Sequence, residues 1–517
     1  MELWILIVDL WIIISSVISK INAMKKKSTF LILGALCLLI ASCSKDPRFL
    51  PGPALLPGLN ENGFSHVSAI TVPPSGGDDT EALTNAIANA KPGTLIKLLA
   101  GEYHVGLMEI YDFNGKLVGA GRDKTIIILK TPIPMNSQIE KNQTPGWWRM
   151  IGGDFLISDM TFKTPDGFLT DDYEPTFYGR DLYTIFMINN YNDIYYHPEA
   201  RQKARFERVN FFGGTNWDMS QDLYWVTEHN IWMAIWIGAD YWWPADGLVY
   251  PLTAGYYTIT NCNFEHFLTA AEGFSLGELA NMKLNSCRFD NCMQTLYFTA
   301  NYNSEIFITN NLLLNSTMYD LLIEDLDYGF MPSTPVNPLK KCKYTIMNNI
   351  FTVTNQITSL TMYDTWVALD PKERLPMQFM VSGNQFNLCD GSSGILAINN
   401  LNATISNNKF KGSCSTGIMV DGAITDRFQM LALDPEKAYA VNCQLILNNF
   451  TGMQSDEADI ILGTRSKNCT VVGSTNDEII DNGIKNRIVG MKPVNKRSGF
   501  KPTTNDNIIA WHGRNRD

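Results

Sequence analysis

A short phrase recurs along the middle and C-terminal thirds of this 517-residue chain: two hydrophobic positions, an Asn or Cys, one variable residue, and a closing aromatic or aliphatic residue. The closing residues are Phe264, Phe289, Leu313, Phe351, Phe386, Phe410 and Phe450, with weaker upstream copies that end at Phe162 and Phe211. Three of the six intervals between the main copies are 24 or 25 residues, and the longer ones look like that unit plus a loop. A repeat of this length indicates one coil of a solenoid, because each unit buries its apolar face only by stacking on its neighbours.

Two positions before each closing residue stands a small polar or thiol side chain. These residues are Cys262, Cys287, Asn311, Asn349, Asn384, Asn408 and Asn448. Parallel strands stack at about 4.8 Å, so identical Asn side chains can hydrogen-bond up and down the stack, and Asn also tolerates the left-handed backbone of a tight turn. The units contain β-branched runs such as 257–260 and 344–347, and no long amphipathic helix pattern follows residue 90. We therefore expect an all-β chain that forms a parallel β-helix.

The N-terminal part of this region has its own pattern. Residues 76–90 predict an N-capped short helix, residues 93–103 a first strand and turn, and residues 117–128 a further glycine-bounded strand. With these segments the chain resembles the right-handed parallel β-helix proteins of the pectate-lyase superfamily over about residues 65–475. The resemblance implies that the helix covers the first coil, where an open end would expose core and strand edges.

The resemblance does not extend to known catalytic motifs. The polygalacturonase set is absent as a set, and the pectate-lyase motif Arg-x-Pro-x-x-Arg is half matched by Arg374 and Pro376, with Phe379 in place of the second Arg. Neither activity can be transferred residue by residue.

A targeting signal precedes the predicted solenoid. Residues 25–27 are three lysines, residues 30–39 are apolar, and Ile40-Ala41-Ser42-Cys43 forms a lipobox, so residues 24–42 are interpreted as a lipoprotein signal peptide. Cys43 would be acylated and would anchor the protein in a bacterial outer membrane, facing the periplasm or the cell surface. Because Met24 begins a complete signal peptide, we interpret residues 1–23 as a mis-start extension. Residues 43–64 predict a proline-rich tether, residues 65–475 the β-helix, and residues 476–517 a C-terminal cap or tail.

The net charge of the chain and the spacing of its cysteines limit which ligands and cofactors are expected. The net charge of −11 argues against nucleic acid, and it mildly disfavours a polyanionic glycan unless a basic patch or a bridging Ca²⁺ offsets the field. No Cys-x-x-Cys pair or His cluster predicts a metal site, so we expect no required cofactor, with Ca²⁺ as an option. Cys262 and Cys287 share one ladder position, where they would be either small buried thiols or a disulfide.

Acidic residues follow the apolar runs where strands are expected to end. Asp240, Glu278 and Asp325 are the predicted catalytic carboxylates, and inserted loops after most of these exits would form the wall of a groove. Carboxylates one coil apart would lie about 5 Å apart and those two coils apart about 10 Å, close to the separations used by retaining and inverting glycosidases. The alternative is that such residues satisfy turn amides.

A local excess of aromatic residues is the second feature that indicates a functional site. Between residues 165 and 257, 23 of 93 residues are Phe, Trp or Tyr, against 11% in the whole chain, and flat aromatic faces suit sugar rings. Trp236 lies in an alternating run and either packs on a neighbour or lines the groove floor. The predicted substrate-binding residues are Trp217, Trp225, Tyr241, Trp242, Trp243, Asp246, Asn301 and Asp364.

Together these features predict a lipid-anchored β-helix that acts on polysaccharide, with a glycoside hydrolase as the leading hypothesis. A non-catalytic glycan-binding protein or adhesin is the first alternative, because fold alone does not imply activity. A polysaccharide lyase is the second, with Lys283 as base and Arg288 as charge neutraliser near Glu278.

Overall fold

A computed structural model gives the fold of this chain. It describes residues 68–130, 146–164, 184–189, 202–214, 231, 233–238, 255–274, 280–299, 304–324, 342–364, 377–425, 432–473 and 477–490. The predicted signal peptide, the tether and Cys43 lie outside the described residues.

The described residues form one helix, α1 (Thr80–Ala88), and 35 strands. The first strands are β1 (Ala69–Val72), β2 (Thr94–Leu98), β3 (Gly101–Val105), β4 (Met108–Tyr111), β5 (Gly115–Val118), β6 (Thr125–Leu129), β7 (Gly146–Ile151), β8 (Asp154–Lys163), β9 (Thr184–Asn189), β10 (Gln202–Phe212), β11 (Met233–Gly238) and β12 (Gly255–Thr260). The middle strands are β13 (Asn263–Glu265), β14 (Thr269–Phe274), β15 (Asn281–Asn285), β16 (Arg288–Asp290), β17 (Gln294–Thr299), β18 (Glu305–Thr309), β19 (Leu312–Leu314), β20 (Tyr319–Glu324), β21 (Lys343–Met347), β22 (Ile350–Thr352), β23 (Thr358–Tyr363) and β24 (Gln378–Ser382). The last strands are β25 (Gln385–Leu388), β26 (Ser393–Ile398), β27 (Thr404–Ser406), β28 (Lys409–Asp421), β29 (Ala440–Val441), β30 (Gln444–Ile446), β31 (Met453–Leu462), β32 (Ser466–Lys467), β33 (Thr470–Val472), β34 (Ile479–Asp481) and β35 (Arg487–Val489).

The strands stack as parallel ladders that run the length of the molecule. Sheet 1 contains β1, β2, β5, β12, β15, β18, β21, β24, β27, β30, β33 and β35; sheet 2 contains β3, β6, β13, β16, β19, β22 and β25; sheet 3 contains β4, β7, β9, β11, β14, β17, β20, β23, β26 and β34. The long strands β8, β10, β28 and β31 bend and contribute to two sheets each. One coil therefore runs from sheet 1 through sheet 2 to sheet 3, and the chain is a right-handed parallel β-helix, as the repeat predicts.

The core is built from the columns that the repeat supplies. In sheet 2 the rings of Phe351, Phe386, Phe410 and Phe450 stack with centroids 4.7, 4.8 and 4.9 Å apart. That spacing matches the distance between neighbouring strands, so each ring packs on its equivalent one coil away.

The predicted asparagine ladder lies at the turn between sheets 1 and 2. Asn349 Nδ2 donates to Asn384 Oδ1 at 3.0 Å and to the carbonyl of Ile308 at 2.8 Å, while Asn349 Oδ1 accepts from Asn311 Nδ2 at 3.0 Å. The same pattern continues through Asn408 to Asn448. Each amide is buried and satisfies the backbone of a neighbouring coil, which explains why the turn requires this side chain.

One detail of the ladder differs from expectation. The left-handed backbone at this turn belongs to the residue before the ladder position, as at Asn310, Asn348 and Asn407 with φ of 58°, 57° and 55°. The left-handed position also accepts other residues, such as Gly383 and Leu447 with φ of 69° and 52°, whereas the ladder position uses the Asn amide for its hydrogen bonds.

Helix α1 closes the N-terminal end, as the resemblance implies. Its buried residues Leu83, Ala86 and Ile87 pack on the first coil. The predicted cap differs in detail: Asp79 Oδ2 accepts the amide of His104 at 3.1 Å, while Asp78 Oδ1 accepts the amide of Thr80 at 3.0 Å. Asp79 therefore fixes the helix to the coil. No helix among the described residues is long and apolar enough to span a membrane.

The cysteines of the described residues are free thiols. Cys262 and Cys287 are both buried at the N-terminal end of the ladder column, where they replace Asn. The buried-thiol interpretation therefore holds in this structure, and the disulfide alternative does not.

Candidate functional site

The central strands of sheet 3 differ from those of the other sheets because both of their faces are largely buried. In β11 and β20 every described side chain is buried, whereas strands of sheet 1 alternate between buried and more exposed positions. Apolar residues such as Leu321 and Ile323 point into the core, so the residues between them point outward and are covered as well. Polar groups on this outward face therefore lie in a desolvated environment.

The strand register defines which outward side chains are neighbours. Trp236 of β11 lies beside Glu272 of β14, Glu272 lies beside Tyr297 of β17, and Tyr297 lies beside Leu322 of β20. Glu324, two residues further along β20, lies beside Thr299. The Cα atoms of Glu272 and Glu324 are thus two coils and two residues apart, or about 12 Å.

Glu272 is one of two strongly perturbed carboxyls of this face. It is 3% exposed, and burial raises its pKa from 4.5 to about 8, with the like charge of Glu324 as the second cause. The indole of Trp236 is its neighbour on one side in the register, which supplies an apolar wall. Glu272 is therefore a carboxylic acid that retains its proton at neutral pH.

Glu324 has a different environment on the same face. Its Oε1 atom accepts a hydrogen bond from the hydroxyl of Tyr297, although the side chain is almost fully buried. Tyr297 is half-buried, so the network reaches the surface through its ring. A proton donor and a hydrogen-bonded acceptor thus face the same side of three consecutive coils, an arrangement that can divide acid and base roles.

Asp320 is a third buried carboxyl, four residues before Glu324 on the same face of β20. Burial raises its pKa to about 7, and the hydroxyls of Ser316 and Ser359 lie close enough to oppose part of that rise. Neither carboxyl oxygen nevertheless has a partner within hydrogen-bond distance and angle in the described part of the chain. A hydroxyl that lies close to a carboxyl at a poor angle stabilises the charge only weakly.

The predicted site residues lie mostly outside the described part of the chain. This holds for Asp240, Glu278 and Asp325, for Asp246 and Asn301, and for the aromatic residues Trp217, Trp225, Tyr241, Trp242 and Trp243. Their assigned roles stay predictions. The strands that precede the three carboxylates are described, and β11, β14 and β20 all belong to sheet 3 and end at the same edge.

Asp364 is the one predicted substrate-binding residue that the structure describes. It is fully buried one residue after β23, and its Oδ2 accepts the amide of Met377 at 3.1 Å. This bond joins the two ends of segment 365–376, as expected for an Asp that satisfies a turn amide. Its proposed contact with substrate stays a prediction, beside this structural role.

Sequence reasoning missed Glu272, Asp320 and Glu324. The sequence pattern predicts the exit of β14 near Glu278, but the strand ends at Phe274, and the buried acid lies within the strand, earlier in the chain. The available signal was an acidic residue inside an apolar strand, as in the run Tyr319-Asp320-Leu321-Leu322-Ile323-Glu324. Carboxylates are rarely buried without a reason, so such an interruption marks a candidate site.

No described group of three or more His, Cys, Asp or Glu side chains has the arrangement of a metal site. The described acids of sheet 3 are instead separated along and across the strands.

No family model and no curated protein matches the chain. Solved structures do match: the A-module of the mannuronan C-5 epimerase AlgE4 of Azotobacter vinelandii is 13% identical with a TM-score of 0.29, over 81% of this chain and 94% of that one. The Agl-KA catalytic domain is 13% identical with a TM-score of 0.41, over 86% and 70%. A mutant of the periplasmic alginate epimerase AlgG is 11% identical with a TM-score of 0.38, over 82% and 84%. At these identities and scores the likeness concerns the fold alone.

Proposed function

We propose that this protein is a polysaccharide-acting enzyme whose acid and base groups lie on the outward face of sheet 3. The observation that carries the proposal is the pair formed by Glu272, which holds its proton near neutral pH, and Glu324, which accepts a hydrogen bond from Tyr297. A carboxyl that can donate a proton and a second carboxyl that can accept one, both on one face, are the requirement for general acid and base catalysis.

In the hydrolase form of this proposal, Glu272 donates its proton to the glycosidic oxygen as the bond to the leaving sugar breaks. Glu324 accepts a proton from the attacking water, with Tyr297 orienting its carboxylate. The two Cα atoms are about 12 Å apart, and two glutamate side chains that point toward each other from that distance can reach the carboxyl separation of about 6.5 to 9.5 Å typical of inverting enzymes. Inversion of the anomeric centre is therefore the expected stereochemistry.

The three carboxylates predicted from sequence each follow a strand of sheet 3, and these strands end at the same edge. Asp240 follows β11 by two residues, Glu278 follows β14 by four, and Asp325 directly follows Glu324. In the proposed site they flank the buried pair and contact sugar hydroxyls or serve in the acid and base pair itself. Asp240→Asn, Glu278→Gln and Asp325→Asn separate these roles: a loss of turnover with binding intact assigns catalysis.

The test is product mass spectrometry after incubation of residues 45–517 with a panel of plant, algal and host polysaccharides. Fragments that carry one added water indicate a hydrolase, and the anomer released first, followed by NMR, tests inversion. Fragments without added water and with a new double bond indicate a lyase, in which Lys283 would be the base and Arg288 the charge neutraliser. No fragment from any glycan contradicts the enzymatic proposal.

A non-catalytic glycan-binding protein is the second candidate, and the aromatic segment between residues 165 and 257 favours it. Tyr241, Trp242 and Trp243 would then stack their flat apolar faces on sugar rings. Trp242→Ala with Trp243→Ala should abolish retention on the bound glycan, and unchanged retention contradicts stacking at this segment.

Lipid anchoring at Cys43 completes the proposal and is supported by the lipobox of residues 40–43. The enzyme would then act at a bacterial outer membrane on glycan brought to it. Cys43→Ser should release the protein from membranes and remove incorporation of a labelled fatty acid. Continued labelling of the variant contradicts the anchor.

A further inference from the structure

A second polar cluster lies on the outward face of sheet 3, separate from Glu272 and Glu324. Thr295 of β17, Asp320 of β20 and Ser359 of β23 occupy one register column, because the residues on either side of them are paired. Neighbours in this column are about 4.8 Å apart. Ser316, from the turn before β20, joins them through a hydrogen bond of 2.6 Å between its Oγ and Thr295 Oγ1.

All four side chains of this hydroxyl-carboxyl column are at most 1% exposed. Both oxygens of Asp320 and the Oγ of Ser359 lack a hydrogen-bond partner in the described part of the chain. A buried carboxylate without a partner costs several kcal/mol, so such a group marks either a bound species or a retained proton.

The chemistry of the column favours a cation over a lone proton. The carboxyl oxygens of Asp320 make no hydrogen bond of good distance and angle to the neighbouring hydroxyls in the described part of the chain, so their lone pairs are available to a ligand. The side-chain atoms that converge are all oxygens, which hard cations prefer, and the column contains no nitrogen donor. A single carboxylate neutralises one charge, whereas a divalent ion would leave a buried excess charge.

We propose that Thr295, Ser316, Asp320 and Ser359 bind a small monovalent cation of the Na⁺ class between β17, β20 and β23. The ion ties three consecutive coils together beside the proposed acid and base pair. Its site does not depend on the enzymatic proposal, because Asp320 lies four residues, or about 13 Å, from Glu324 along the strand.

The test compares thermal unfolding in NaCl and in choline chloride at constant ionic strength and at pH 8. Other titratable groups on the described part of this face include Glu272, Tyr297, Glu324 and Tyr363, and the constant pH keeps their state the same in both salts. Between low millimolar and about 300 mM Na⁺ we expect the Tm to rise by roughly 2 to 4 °C, and choline to give no rise. Stabilisation by Ca²⁺ in place of Na⁺ overturns the monovalent assignment.

Two variants locate the effect. Asp320→Asn should abolish the Na⁺-dependent rise whatever its baseline Tm, and Ser359→Ala should reduce it. The matched control Asp123→Asn changes an exposed carboxylate and should keep the full rise. A Na⁺ response that survives Asp320→Asn places the ion elsewhere.

A crystal of the protein soaked in Tl⁺ or Rb⁺ gives the position directly. An anomalous peak between Asp320 and Ser359 is the expected result. Water alone at this position, or no ordered density, contradicts the proposal even if Na⁺ stabilises the protein by another route.

Discussion

Replacing Glu272 by Gln should make the protein more stable at neutral and higher pH. Gln is neutral at every pH and has nearly the shape of the protonated carboxyl, so it keeps the packing while removing the need to bury a charge. The wild-type carboxyl has its pKa raised from 4.5 to about 8 in the folded state, mainly by burial.

The sign and size follow from proton linkage. A raised folded-state pKa means that the folded protein binds the proton more tightly than the unfolded chain. Glu272 therefore costs nothing below about pH 4.5, and its cost grows as the pH rises to about 8, where it levels off. At 1.36 kcal/mol for each pKa unit, the full cost is roughly 5 kcal/mol as an upper value.

The assay is urea unfolding of wild type and Glu272→Gln from pH 5 to 8.5, followed by circular dichroism. The midpoints should coincide near pH 5 and separate progressively up to pH 8, with the variant more stable. Glu102→Gln, at an exposed position of β3, is the matched control and should follow the wild type at every pH. A variant that is equally or less stable than wild type at pH 8 refutes the buried-acid argument.

Three further predictions concern the solenoid itself. Asn349→Ala should destabilise the fold by about 3 kcal/mol in urea unfolding, because it leaves the buried backbone amide of Asn311 and the carbonyl of Ile308 without partners. The control Gln444→Ala removes an exposed side chain and should cost less than about 0.5 kcal/mol in the same assay. Phe386→Ala should cost about 3 to 5 kcal/mol, since a ring that stacks on both sides leaves a cavity, and a loss below about 1 kcal/mol would show that the column does not carry the core. Cys389 is half-buried while the other described thiols are buried, so Ellman's reagent should modify it first in the native protein; a fast phase that persists in Cys389→Ser would contradict its exposure.

The fold could be predicted from the sequence because each coil of a solenoid repeats the same turn and the same core packing. The same turn recurs in each coil, so Asn349 and Asn384 stand at equivalent positions, and their spacing is visible without knowledge of the rest of the chain. The stacked rings of Phe351 and Phe386 follow from the same register. What the repeat could not show is which residue adopts the left-handed backbone, because both neighbouring positions are often Asn.

The candidate site could be predicted only in outline. The edge at which sheet 3 ends was identified from acidic residues after apolar runs, and the strands before Asp240 and Asp325 do end there. The buried pair was missed because sequence alternation does not tell which face of a doubly buried strand points outward. The environment of Glu272 depends on Trp236 and Glu324, which belong to other coils. Both residues are far from Glu272 along the chain, so the sequence does not show that they influence it.

The most direct test of the central claim measures turnover of wild type, Glu272→Gln and Glu324→Gln on a polysaccharide that the wild type degrades. Product mass spectrometry should show at least about a 100-fold loss of fragments for both variants, the usual contribution of a general acid or base, while Glu102→Gln keeps full activity. Because Glu272→Gln should be the more stable protein, unfolding cannot account for its loss. Wild-type turnover in both variants would contradict the assignment of these carboxyls to catalysis.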